Sequence, residues 1–210
     1  MNLTKKITHA LGVVAATAVS YAQQPAATST TPVGVLGQQY TEVGFGAQDI
    51  KHLSPNLYSF DFSGNAPVTS NIDVSGGYSY GWIRGNVGAH SNTLSTSATY
   101  HVSYEGVKPF ATAALGYEWV HHFGVRHSDG IWGAAVGVEI PVGEFSLTPS
   151  VAYADDFSSR RRSSQAVISN VEANHWFSAT TAGFAGIGYT DTQRSGVDSW
   201  NYSVGVRVKF

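Results

Sequence analysis

Three histidines and an acid lie close together in the chain: His121, His122, His127 and Asp129. Imidazoles beside a carboxylate are the makings of a zinc site, or of a hydrolase whose base is oriented by an acid. Their spacing fits no firm metal motif. Asp155 and Asp156 form an acidic pair further on, and a solvated loop accounts for either group without catalysis. A second set is ionic and threaded among small residues: Glu42, Asp61, Asp73, Glu105, Lys108, Glu139, Glu172, Arg207 and Lys209. Gathered in one narrow interior, these charges must pair or stay hydrated, as static polar packing or as a salt-bridge gate. A third set, Arg126, Arg160, Arg161 and Arg162, offers guanidinium groups suited to phosphate, which a solvated loop explains equally well. No cofactor and no metal are expected from these patterns, and nothing in them suggests nucleic acid.

The element best able to position such residues is the last stretch, WNYSVGVRVKF, which alternates apolar and polar side chains without a slip. A period of two puts Trp200, Tyr202, Val204, Val206, Val208 and Phe210 on one face, and Asn201, Ser203, Gly205, Arg207 and Lys209 on the other. Eleven residues in extended form cross a bilayer. Strands of soluble sheets are usually nearer five or six residues.

At the other end, Lys5 and Lys6 precede an apolar run from about Ala10 to Val19, and Ser20-Tyr21-Ala22 follows. That is the layout of a cleaved secretory leader over residues 1–22. Its removal leaves about 188 of the 210 residues and takes the formal charge from −2 to −4, since both lysines go with it. The absence of cysteine leaves closure of a sheet, rather than disulfides, as the stabiliser in an oxidising compartment. Charged residues are 12% of the chain, about half of what a soluble domain carries. A large solvated surface would be hard to build from so few.

Residues 23–38 are polar and contain proline, and read as a periplasmic tail. Strands are then predicted over about 39–48, 56–63, 71–82, 94–105, 108–119, 131–140, 145–154, 165–174, 178–190 and 200–210. That is ten, an even number that returns both ends to one side; losing an irregular pair, the first two or the eighth and ninth, leaves eight. Connections alternate short and longer, with 84–92, 121–130 and 155–164 read as loops. Bulky side chains fall on one face of each strand while Gly, Ala, Ser and Thr dominate the other. A small soluble barrel would show the reverse, so the bulky face is expected to meet lipid. Trp82, Trp119, Trp132 and Trp200 fall at strand ends beside the proposed outer loops and Trp176 at an opposite turn, as interface aromatics do. Pairing of first and last strands would bring Glu42 near Arg207 or Lys209.

The C-terminal strand ending in Phe210 resembles the terminal strand of bacterial outer-membrane β-barrels. Lys108-Pro109-Phe110 followed by Leu115-Gly116-Tyr117 is similar to a strand of the OmpA-type and opacity-porin group, with Ala114 where that group often has glycine. The resemblance implies an all-β fold: a closed antiparallel up-and-down transmembrane barrel over 39–210, in the bacterial outer membrane. It implies a structural or surface-interaction role, with room for a narrow passive pore, rather than catalysis. Implied partners are outer-membrane lipid, lipopolysaccharide at Arg126, Arg160, Arg161 and Arg162, and the barrel-assembly machinery at Phe210. Two other readings stay open. An outer-membrane hydrolase would carry its site at the extracellular rim; Asp155-Asp156 is similar to the acidic pair of omptin-like proteases, but their Asp-x-His partner is missing, the nearest order being His127-Ser128-Asp129. A soluble ligand-binding β-barrel is the other.

Overall fold

The computed structural model describes residues 34–51, 56–84, 89–122, 124–157, 165–192 and 198–210. The leader, residues 23–33 of the tail, and Arg160, Arg161 and Arg162 lie outside them. Ten strands follow one another: β1 (Tyr40–Ile50), β2 (Leu57–Pro67), β3 (Ile72–Ile83), β4 (Ala89–His101), β5 (Lys108–His122), β6 (Val125–Val142), β7 (Phe145–Asp156), β8 (Ala166–Trp176), β9 (Thr181–Thr192) and β10 (Ser199–Lys209). Each pairs antiparallel with its sequence neighbours, and β1 pairs with β10, so the sheet closes on itself. The eight-strand alternative is set aside: β1–β2 and β8–β9 are paired along their lengths.

Alternation explains why these segments are strands. On β10 the side chains of Trp200, Tyr202, Val204, Val206 and Val208 point outward and stay exposed, while Asn201 and Arg207 point in and are buried. The same holds around the wall. Val43, Phe45, Phe60, Phe62, Leu94, Leu115, Val136 and Ile187 are exposed, and Ser75, Ser97, Thr99, Thr112 and Thr190 are buried. Inward hydroxyls bond across strands, as in Ser75–Ser97 at 2.6 Å and Thr99–Thr112 at 2.9 Å.

The interior is not lined by small groups alone. Phe184 points in from β9 over Gly205 of β10, where a Cβ would collide with the ring. Bulk on one strand is thus accommodated by its absence on the next. Val35, Tyr40, Trp176 and Ala182 form a small apolar cluster at the end of the barrel that holds the short turns. Trp176 is therefore an inward residue, 3% exposed, and not the interface aromatic its position suggested.

Several boundaries differ from the sequence reading. β4 ends at His101, and the chain turns at Glu105-Gly106, held by reciprocal Tyr104–Val107 backbone hydrogen bonds of 2.9 Å. Both turn residues have positive φ, 47° and 84°, as a two-residue hairpin turn requires. Glu105 is accordingly exposed on this turn and is not part of the lumen. At the opposite end, 89–92, 121–122 and 125–130 are not loops. β4, β5 and β6 run on into them, with His122 paired to Val125. Polar side chains do not end a strand when both partners continue in register, because each backbone N–H and C=O still needs its bond.

Candidate functional site

Arg207 organises the interior. It lies opposite Glu42 across the β1–β10 seam, and its side chain is 1% exposed. Its Nε donates to Glu42 Oε2 at 2.6 Å, and its Nη1 donates to Glu172 Oε1 at 2.8 Å and to Asn174 Oδ1 at 3.0 Å. The planar fork reaches past β9 to β8, so one side chain ties β1, β10 and β8 together. The Phe184 ring lies under the guanidinium, 4.4 Å from Cζ to its centroid, with Tyr40 at 5.4 Å. A charge this deep is tolerable only because carboxylates, an amide and ring faces replace its water.

A second group closes the same end. Glu139, on β6, accepts hydrogen bonds from the backbone N–H of Val35 at 2.6 Å and of Leu36 at 3.2 Å. Lys108 stands 3.7 Å from the Glu139 carboxylate and donates to the Leu36 carbonyl. Trp176 Nε1 donates to the Gly34 carbonyl at 3.1 Å, Asn65 Nδ2 to the Gln38 carbonyl at 3.1 Å, and Lys209 Nζ to Gln38 Oε1 at 2.8 Å. The end of the segment read as a tail, Gly34 to Gln38, is thus seated in the barrel mouth. Val35 and Leu36 are 2% and 1% exposed.

Asp73 faces in beside His101, Oδ2 and Nε2 being 3.3 Å apart. Asp61 accepts from Ser59 Oγ at 2.9 Å. Nearer the loop end, Glu118 is 7% exposed and its Oε1 has no hydrogen-bond partner among the described residues. Sequence reading passed over Glu118, although period two counted from Ala114 points it inward. His101, the partner of Asp73, comes from the neighbouring strand. A cavity of about 50 Å³, lined in part by Gly46, Ser59, Asp61, Ser63 and Asn201, has space for a few waters.

The candidate catalytic residues do not converge. His127 and Asp129 lie on the inward side of β6, 3.8 Å apart, with His127 well exposed beyond the end of β7, whereas His121 faces outward. Asp155 shares the outward face with Tyr153, whose hydroxyl donates to it at 3.3 Å, and Asp156 takes the opposite face. Among the described residues no three histidine or acidic side chains are grouped to hold a metal.

The outer surface decides what kind of barrel this is. Trp82, Trp119, Trp132 and Trp200 all point outward, packed on tyrosines: Trp82 on Tyr80 at 5.8 Å, Trp119 on Tyr117 at 4.9 Å, Trp132 on Tyr153 at 5.5 Å and Trp200 on Tyr189 at 5.3 Å. Trp119 and Trp132 are not at strand ends, because β5 and β6 continue past them. Between these rings and the turn end runs a belt of exposed Val, Leu, Ile and Phe around the whole wall. Water-soluble monomers rarely expose contiguous apolar patches beyond a few hundred Å². The fold is that of a membrane-spanning β-barrel.

No protein-family model and no curated protein matches the sequence. Among solved structures, Neisserial surface protein A is 16% identical with a TM-score of 0.44, the match covering 82% of this chain and 97% of that one. The N-terminal β-barrel domain of Pseudomonas aeruginosa OprF is 14% identical at a TM-score of 0.42, over 82% and 100%. An outer membrane channel from Pseudomonas putida F1 is 12% identical at 0.47, over 88% and 100%. At these values they are likenesses of overall shape and say nothing of activity.

In the barrel, Arg126 and the terminal aromatic lie at opposite rims. Arg126 lies on the outward face of β6, exposed and opposite His121. Phe210 is 71% exposed just beyond β10.

Proposed function

We propose that this protein is exported by a leader at residues 1–22, resides in the bacterial outer membrane as a barrel over 39–210, and serves a non-enzymatic structural or surface-interaction role with its lumen shut on the periplasmic side. The observation that carries this reading is Arg207, buried in the lumen and bonded to Glu42, Glu172 and Asn174. A cation with its hydrogen bonds so distributed is a strut rather than a hydrated wall charge. The seated Gly34–Gln38 segment supports the same conclusion, and the division of His121, His127, Asp155 and Asp156 between two faces speaks against a hydrolase.

Planar-bilayer recording tests it. The wild-type barrel and its Arg207→Gln variant are both expected to be silent; steady single-channel steps from the wild type would overturn the closed-lumen reading. The cavity above the ion cluster favours one second reading, a narrow pore gated by that cluster, and under it Arg207→Gln alone would conduct. Arg126 with Arg160, Arg161 and Arg162 would then meet lipopolysaccharide phosphates at the outer rim. Replacing all four by Gln should weaken binding of purified lipopolysaccharide. Phe210 would be read by the assembly machinery, so its removal should lower the amount inserted in the outer membrane without preventing refolding in detergent.

A further inference from the structure

Histidines that cluster in sequence part company in space, and one gains a partner from elsewhere. His121 faces outward on β5, and His90 stands directly opposite it on β4. Nδ1 of His121 and Nε2 of His90 are 2.9 Å apart, with the rings meeting edge to face at a centroid separation of 4.7 Å. His90 is the second residue of β4 and His121 the last but one of β5, so the pair sits at the loop end, within reach of water. Tyr80 packs on His90 with centroids 5.9 Å apart and restricts its rotation.

Two imidazole nitrogens bound to one ion at about 2.0–2.1 Å and about 90° apart lie roughly 2.9 Å from each other; a tetrahedral ion would hold them roughly 3.3–3.4 Å apart. We propose that His90 and His121 form a two-histidine site for a divalent transition metal of tetragonal preference, Cu²⁺ ahead of Ni²⁺ and Zn²⁺, with water completing the coordination. Strand register supplies the preorganisation, because directly opposed residues hold their Cβ atoms close before any ion arrives. The metal order follows from imidazole ligation and square geometry. Without metal the same two nitrogens share a proton. Arg126 stands opposite His121 on β6, and its charge opposes a bound cation. That opposition gives the site a signature that chance histidine binding lacks.

Untagged full-length protein, folded in detergent micelles, is titrated with CuCl₂, NiCl₂ and ZnCl₂ and followed by calorimetry and, for copper, electron paramagnetic resonance. The expected result is one Cu²⁺ site showing two coupled nitrogens, bound more tightly than Ni²⁺ or Zn²⁺. His90→Gln and His121→Gln should each weaken it by about tenfold or more. His127→Gln, altering a ring on the lumen side, should leave it as it was, and Arg126→Gln should tighten it. Heat-modifiable migration reports whether each variant is folded, and His90→Phe, which keeps the packing on Tyr80, serves if His90→Gln does not fold. Copper affinity unchanged on loss of either His90 or His121, or Zn²⁺ bound more tightly than Cu²⁺, would overturn the proposal.

Discussion

Arg207 and Glu42 face each other on the two strands whose pairing closes the barrel, with Nε and Oε2 2.6 Å apart. The most buried cation among the described residues is therefore a fastener between the first strand and the last. Removing it leaves Glu42 and Glu172 as buried carboxylates without their counter-charge. Arg207→Met should cost about 3–5 kcal/mol. Replacing Glu42 and Glu172 by Gln in that background should recover part of the loss. Urea unfolding in a lipid or detergent host, compared at matched slopes, measures both; equal midpoints for wild type and Arg207→Met would refute the assignment.

The Gly34–Gln38 segment hangs on Glu139, which receives two backbone N–H groups and stands beside Lys108. Glu139→Ala should release the segment while the barrel stays folded. Limited proteolysis with mass mapping checks it: cleavage near Leu36 should be slow in the wild type and fast in the variant, at unchanged heat-modifiable migration.

Val204 lies midway along β10 on the outward face and is 53% exposed. Val204→Arg should cost about 2–4 kcal/mol in a bilayer, the range for a basic residue facing lipid at mid-depth. Ser203→Ala, next to it but pointing in, should cost much less. A soluble ligand-binding barrel would respond oppositely, tolerating a guanidinium at that position in water, so the two substitutions compared by refolding into vesicles separate the readings.

The Glu105-Gly106 turn carries its own expectation. With φ at 84°, Gly106→Ala should destabilise by roughly 1–2 kcal/mol, the cost of a left-handed L-residue. Glu105→Gln, on an exposed turn outside the lumen, should leave conductance and stability unchanged. A lumen effect from that substitution would mean the side chain points inward after all.

Much was legible because a strand's side chains alternate with a period that any reader of the chain can count. WNYSVGVRVKF shows its own two faces, and the same parity puts Glu42, Asp73, Glu139, Glu172 and Arg207 inside, and Trp82, Trp119, Trp132 and Trp200 outside. It erred where a local cue was weighed without its partner strand. Residues 89–92, 121–122 and 125–130 look like loops singly and are strands together. Glu105 has the right parity for the lumen but falls just past the point where β4 stops pairing.

What the sequence by itself determined is the barrel and its polarity: repeated period-two segments, short turns, and bulky groups on one parity, which follow from covalent geometry and need no knowledge of distant contacts. Only the tertiary structure decided which residues meet. Arg207 finds Glu172 because β8 and β10 flank β9 on a curved wall, His121 finds His90 across 31 residues through register, and Val35 finds Glu139 because the mouth of a closed ring is narrow enough for a folded-back segment to span. Alternation fixes the direction in which a side chain points, whereas the curvature and stagger of the closed sheet fix what stands opposite it.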